Sequence, residues 1–150
     1  MAPGMATDSG PPVSYRGAMS DGMTQAEADA FVAAWMEAWN SHDAGRIAAH
    51  YRDDVEYESP FVASLTPGGH GLVGRDAVRG YIEAALTRYP YLHFDAPMAV
   101  AVGAGSVSFV YRSVNDLLAV ETLVLDDDHL VTRALCHYTA APPVGSALGG

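Results

Sequence analysis

Residues 38–61 read AWNSHDAGRIAAHYRDDVEYESPF, and the way polar and apolar positions alternate there decides the fold. The apolar recurrence running into Ala38 and Trp39 breaks at Asn40–Asp43, a cluster that favours a turn. Asp43 is placed to cap a short second helix carrying Ile47 and Tyr51. "DDVEYESPF" then reads as a strand halted by Pro60. Upstream, Thr24 followed by Glu27 forms a capping box. Phe31, Trp35, Ala38 and Trp39 follow at spacings of three and four, which gives one apolar stripe on a first helix. Downstream, "LTPGGHGLVG" reads as a loop or hairpin, and Gly74 leads into a third helix. Its buried stripe is Val78, Tyr81, Ile82, Ala85 and Leu86, and Pro90 ends it.

Four β segments complete the chain: Leu92–Val102, Ser106–Val114, Leu118–Leu125 and Leu130–Tyr138. "GAG", "ND" and "DDDH" separate them as hairpin turns. Three helices followed by an antiparallel meander make an α+β domain, expected over residues 23–140. Residues 1–22 are rich in Gly, Pro, Ser and Met and read as a disordered N-terminal tail; residues 141–150 read as a second tail.

The composition narrows the partners. The 150 residues are 49% hydrophobic and 17% charged, as expected for one globular domain. The net charge is −10, the chain has no lysine, and the eight arginines are scattered. Such a surface excludes nucleic acid as a partner and disfavours an anionic membrane surface. No apolar run reaches the length of a membrane span, and no secretory signal is expected. The single cysteine, Cys136, allows no internal disulfide and suits a reducing compartment, here read as cytoplasmic. A hydrophobic small molecule remains as the expected partner.

Strand alternation points to one carboxyl group. In Ser106–Val114 the bulkier face is Val107, Phe109, Tyr111 and Ser113, which makes it the interior face. In "LLAVETLVL" (117–125) Glu121 shares a face with Ala119, Leu123 and Leu125, while Leu118, Val120, Thr122 and Val124 form the other. Both faces are apolar, so helices should cover one and a second subunit the other. In the last strand Thr132, Ala134, Cys136 and Tyr138 share one face, and Val131, Arg133, Leu135 and His137 the other. Glu121 is then buried, and desolvation raises the pKa of a buried acid.

This order of elements, with "AWNSHDAGRIAAHYRDDVEYESPF" at its start and "LVTRAL" near its end, resembles the nuclear-transport-factor-2-like superfamily, closest to its SnoaL-like and ketosteroid-isomerase-like branch. The resemblance implies a cone: a curved antiparallel sheet wrapped by three helices around an apolar pocket, dimerising through the outer sheet face on Leu118, Val120, Val124, Val131 and Leu135. It matches Glu121 to the acid that hydrogen-bonds the substrate oxyanion in those isomerases. Their general base precedes the strand-ending proline, where this chain has Ser59. Their oxyanion tyrosine aligns with Trp35. Two of three catalytic groups are therefore missing, which argues against steroid-type isomerisation. The resemblance also puts Tyr57, Ser59 and Cys136 on the pocket side, with Val107, Phe109, Tyr111 and Ser113.

The expected site has Glu121 as acid or base, with Tyr57 and Tyr111 positioning the reacting oxygen. Trp35, Trp39, Phe61, Phe109, Leu123, Ser59, Ser113 and Cys136 are expected around the substrate, and His70 on a glycine-rich loop over the mouth. Tyr57 and Tyr111 equally fit an ordinary core position, and Trp35 and Trp39 fit one better than a pocket wall. Cys136 and His137 point to opposite faces and cannot share a metal ion, and no H-x-x-x-H or C-x-x-C spacing occurs. No phosphate-binding glycine loop and no G-x-S-x-G is present, so no cofactor is expected. Arg112 lies opposite Tyr111 without an aspartate pair, against an Asp–Arg–Asp epoxide hydrolase. The expectation is a cofactor-independent cyclase or isomerase of a hydrophobic, oxygenated, polyketide-like intermediate; the alternative is a binding or dimeric interaction module without chemistry.

Overall fold

Helix α1 (Gln25–Asn40) begins on the expected capping box. Thr24 Oγ accepts the Glu27 amide at 3.1 Å, and Glu27 Oε1 accepts the Thr24 amide at 2.9 Å. Its inward stripe is Ala28, Val32, Trp35, Met36, Ala38 and Trp39; Phe31 sits at the edge, half-buried. His42, with φ of 60°, turns the chain. Asp43 then caps the short helix α2 (Ala44–Ala48) by accepting the Arg46 amide at 3.1 Å. Tyr51 does not belong to this helix: it opens strand β1 (Tyr51–Glu58), facing inward with Val55 and Tyr57.

The computed structural model describes residues 22–141. The expected tails, 1–22 and 141–150, lie outside these residues except for Gly22 and Ala141. After β1 come helix α3 (Pro60–Leu65), strand β2 (Gly71–Val73), helix α4 (Arg75–Arg88), strands β3 (Ala99–Val102) and β4 (Ser106–Arg112), a 3-10 turn (Val114–Asp116), and strands β5 (Leu117–Leu125) and β6 (Val131–Ala140). The described residues therefore hold four α-helices, not three. Pro60 starts α3 as well as ending β1. It occupies the first helical turn, where a missing N–H costs nothing, and Ser59 Oγ accepts the Phe61 amide at 3.2 Å. Gly74 caps α4 with φ of 97°, a conformation suited to glycine.

The six strands form one curved, open sheet in the order β2-β1-β6-β5-β4-β3. All pairs are antiparallel except β1 with β6, which runs parallel and joins the first strand to the last. Two expected strand boundaries shift. Only Ala99–Val102 of the expected Leu92–Val102 is strand, since Pro97 cannot donate to a ladder. The register of β5 against β6 slips between Val124 and Leu125, so Leu125 pairs with Val131 and Val124 with Arg133. This bulge breaks the alternation: Val131 is buried together with Ala134 and Cys136. Val131 therefore belongs to the core and cannot serve an outer interface. Leu118 is likewise already buried.

The core lies between the concave sheet face and the helices. Val107, Phe109 and Tyr111 of β4 face it as the alternation requires, joined by Ala119, Glu121 and Leu123 of β5. Residues 92–98 have no regular structure but still deliver Leu92 and Phe94 inward. Two residues at the end of α1 hold them. Asn40 Nδ2 donates to the Phe94 carbonyl at 2.9 Å while its Oδ1 accepts the Phe94 amide at 2.7 Å, and His42 Nε2 donates to the Leu92 carbonyl at 2.7 Å.

Candidate active site

Glu121 is 2% exposed, set in the middle of β5 between Phe109 and Cys136 of the neighbouring strands. Tyr111, on the same inward face of β4, donates its hydroxyl to Glu121 Oε1 at 2.9 Å. The other carboxyl oxygen, Oε2, is buried with no hydrogen-bond partner. Because Oε1 accepts from Tyr111, the proton of the neutral acid belongs on Oε2, the atom left free to donate. Burial pushes the carboxyl up to about 7; the Tyr111 hydroxyl and, less strongly, the Cys136 thiol pull it back.

Phenols surround this acid. Burial raises Tyr51, Tyr57 and Tyr111 well above the usual tyrosine range, and raises Tyr81 and Tyr138 too, with the Glu121 charge adding to each. The Cys136 thiol is raised for the same reasons. These groups stay protonated near neutrality, so within this cluster only Glu121 exchanges a proton there. Tyr57 Oη accepts the Cys136 thiol at 3.6 Å, a bond that does not use the Tyr57 proton.

The pocket over Glu121 is lined by Trp39, Tyr57, Phe61, Tyr81, Phe94, Tyr111 and Tyr138, with Leu65, Ala85, Tyr89, Leu92 and Val114 toward its rim. Its volume is about 30 Å³, enough for a water-sized group and far below the few hundred Å³ that hold a drug-sized ligand. Rim residues Phe61, Leu65, Tyr89, Val114 and Tyr138 are half-buried, and Phe61 packs edge-on to Tyr138 at 4.7 Å and to Tyr89 at 6.1 Å. Outside the rim lies a groove of about 300 Å³ that shares Tyr89, Leu92 and Val114 with the pocket and continues along Arg88, Tyr91 and Asn115. Asn115 and Asp116 there carry positive φ angles of 59° and 57°.

Of the residues expected from the sequence, Glu121, Tyr111, Tyr57, Trp39 and Phe61 meet in the pocket. Trp35, Phe109, Leu123, Ser59 and Cys136 are buried behind its wall instead. Trp35 Nε1 is committed to Tyr51 Oη at 3.1 Å, and its ring packs on Phe109 at 5.0 Å. Ser59, fully buried, spends its hydroxyl as the α3 cap. Both residues that the resemblance set against ketosteroid-isomerase catalytic groups thus have a structural use here. Ser113 falls past the end of β4, on the outer groove. His70 is exposed, tied to the fold through its carbonyl, which accepts the Ser59 amide at 3.0 Å.

Tyr81, Tyr138 and Phe94 line the pocket without having been singled out. Tyr138 was readable, two residues beyond Cys136 on the same face; Tyr81 belonged to a helix stripe indistinguishable from plain core. Among the described residues no cluster of three or more His, Cys, Asp or Glu can hold a metal ion, and no helix is long and apolar enough to cross a membrane.

Residues 32–116 match the family model described as a SnoaL-like domain. The chain is similar to a SnoaL-like protein of unknown function from Burkholderia thailandensis E264, with 36% identity, 79% of this chain and 99% of that one covered, and a TM-score of 0.72. It also shares its fold with SalBIII, an epoxide hydrolase/cyclase-like enzyme in pyran ring formation in the polyether salinomycin (17% identity, 76% and 92% covered, TM-score 0.60). A further fold relative is TerC, crystallised with polyporic acid (14% identity, 73% and 89% covered, TM-score 0.60). No curated protein matches the chain by sequence.

Proposed function

Since the chain belongs to the SnoaL-like family, we propose that it is a cofactor-independent cyclase or isomerase of a hydrophobic, oxygenated, polyketide-like intermediate, working in the cytoplasm. One observation carries this reading. Glu121 is the sole carboxyl of an aromatic pocket, its Oε1 fixed by Tyr111 and its Oε2 unpaired. A carboxyl balanced near pH 7 both gives and takes a proton at working pH, the condition for general acid–base catalysis.

In ring closure on an epoxide, the substrate's own hydroxyl oxygen bonds to a ring carbon as the bond from that carbon to the epoxide oxygen breaks. The epoxide oxygen takes the proton of Glu121 Oε2. The attacking hydroxyl's proton then returns to the carboxylate, directly or through solvent, so no atom is gained or lost. Tyr111 orients the acid; Tyr57, whose proton is not spent on Cys136, steadies the reacting oxygen. Holding a flexible chain in its reactive shape supplies most of the acceleration. The substrate approaches along the outer groove, and the rim aromatics swing aside to admit it.

Isomerisation and ring closure leave mass unchanged, so the test separates products by chromatography from a panel of hydroxy-epoxide and polyketone substrates. Glu121→Gln keeps shape and removes the ionisable proton; turnover should fall by about 10²–10⁴. Full turnover in that variant overturns the assignment. The competing reading is a ligand carrier, favoured by the structural use of Ser59 and Trp35; its signature is ligand returned unchanged by the native protein.

A further inference from the structure

We infer that the Trp39 indole N–H is a second polar anchor in the pocket, so that the substrate presents two separate oxygen acceptors, one to Glu121 and one to Trp39. The inference rests on the acid role of Glu121 and adds the shape of the substrate to it. Among the described residues, the buried side-chain polar atoms without a hydrogen-bond partner are Glu121 Oε2 and Trp39 Nε1. Both residues line the same pocket. Unpaired buried polar atoms are rare in folded proteins, and leaving one costs more than an ordinary hydrogen bond gains. Finding both in one cavity points to one ligand that satisfies both.

Trp35 sharpens the contrast. It lies one helical turn earlier on α1, is equally buried, and has its N–H paired with Tyr51. The fold thus satisfies an indole where only packing is needed. Trp39 touches Trp35 at 6.0 Å and Phe94 at 5.9 Å between ring centroids, contacts any aromatic ring would make. Its N–H is what tryptophan adds there.

The chemistry of the anchors defines the ligand. An indole N–H only donates, and neutral Glu121 donates through Oε2. The groups facing them are therefore acceptors: carbonyl, ether or epoxide oxygens. The anchors belong to different elements, Trp39 to α1 and Glu121 to β5, and Phe94 packs against Trp39 and against Tyr111, the donor to Glu121, at 5.9 and 4.9 Å. The acceptors then sit on different carbons of an apolar skeleton.

The chain contains two tryptophans, so its indole N–H region in a proton–nitrogen correlation spectrum holds two cross-peaks, assigned with Trp39→Phe. Acetophenone serves as the one-acceptor probe, and meta- and para-diacetylbenzene as the two-acceptor probes. A diketone should move the Trp39 cross-peak downfield and leave that of Trp35 in place. It should bind roughly three- to tenfold tighter than acetophenone, the range of one added hydrogen bond. Trp39→Phe should erase that preference while keeping acetophenone affinity. The inference is overturned if neither diketone outbinds acetophenone, or if the Trp39 cross-peak is unmoved by both. Glu121→Leu, which removes the donor that glutamine would keep, separates the two ideas. Acetophenone binding that weakens in this variant upholds the acid even where Trp39 fails; a diketone preference that depends on Trp39 alone, with Glu121→Leu unaffected, upholds the indole and removes the acid.

Discussion

Glu121→Gln should change how stability depends on pH in a defined window. The folded protein holds this carboxyl at about 7, against 4.5 for an exposed glutamate. Below pH 4.5 the group is neutral in both folded and unfolded chains. Between 4.5 and 7 the unfolded chain releases the proton and the folded chain keeps it, so stability falls as pH rises. Above 7 both forms are ionised and the loss is complete. The gap of about 2.5 pH units corresponds to a loss on the order of 3 kcal/mol across the window. Glutamine is neutral throughout and escapes it, so the variant should match the native protein near pH 4.5 and exceed it above pH 7. The native-minus-variant difference is the proper quantity, because it isolates Glu121 from the rest of the chain. Urea unfolding at half-unit steps from pH 4.5 to 8.5 measures it. A flat difference would mean that Glu121 is hydrated and ionised throughout, and would remove the physical basis of the acid–base proposal.

Tyr111→Phe removes the donor that favours the charged carboxyl, so the Glu121 midpoint should rise further, read by carbon-detected titration; an unchanged or lower midpoint refutes the orienting role of Tyr111. Asn40→Ala should cost about 1–3 kcal/mol in urea unfolding, because it strands both backbone groups of Phe94; Asn40→Asp, which keeps one acceptor, should cost less. A homodimer through the outer sheet face is expected on Val120, Val124 and Leu135, which are half-buried and uncovered by the helices; a monomer by sedimentation at micromolar concentration rejects it.

Local rules carried much of the fold. The Thr24–Glu27 box, the Asp43 cap and the Val107–Phe109–Tyr111 face each follow from spacing alone, and the apolar character of both faces of Leu117–Leu125 made Glu121 buried whichever way it points. What escaped was set at a distance or by competing signals. The parallel pairing of β1 with β6 joins segments some eighty residues apart and leaves no periodic trace. Ser59-Pro60 is read as a strand stop, though the same dipeptide is a helix start. The bulge near Thr132 turned Val131 inward because its extra residue shifts the alternation by one. The site was half legible for a related reason. Pattern shows which side chains turn inward, but not which of them reach the cavity and which stand behind its wall. Trp35 and Trp39 share one stripe and divide between those fates.

The stretch from Leu92 to Pro97 delivers Leu92 and Phe94 to the pocket without joining any strand; Asn40 and His42, at the end of α1, secure it. A wall fastened in this way can change length or composition without shifting a strand register elsewhere. The cone and its acid would be preserved while the space facing them is recut. In such a scaffold, a new ligand preference can arise by rewriting six residues and leaving the remainder of the domain untouched.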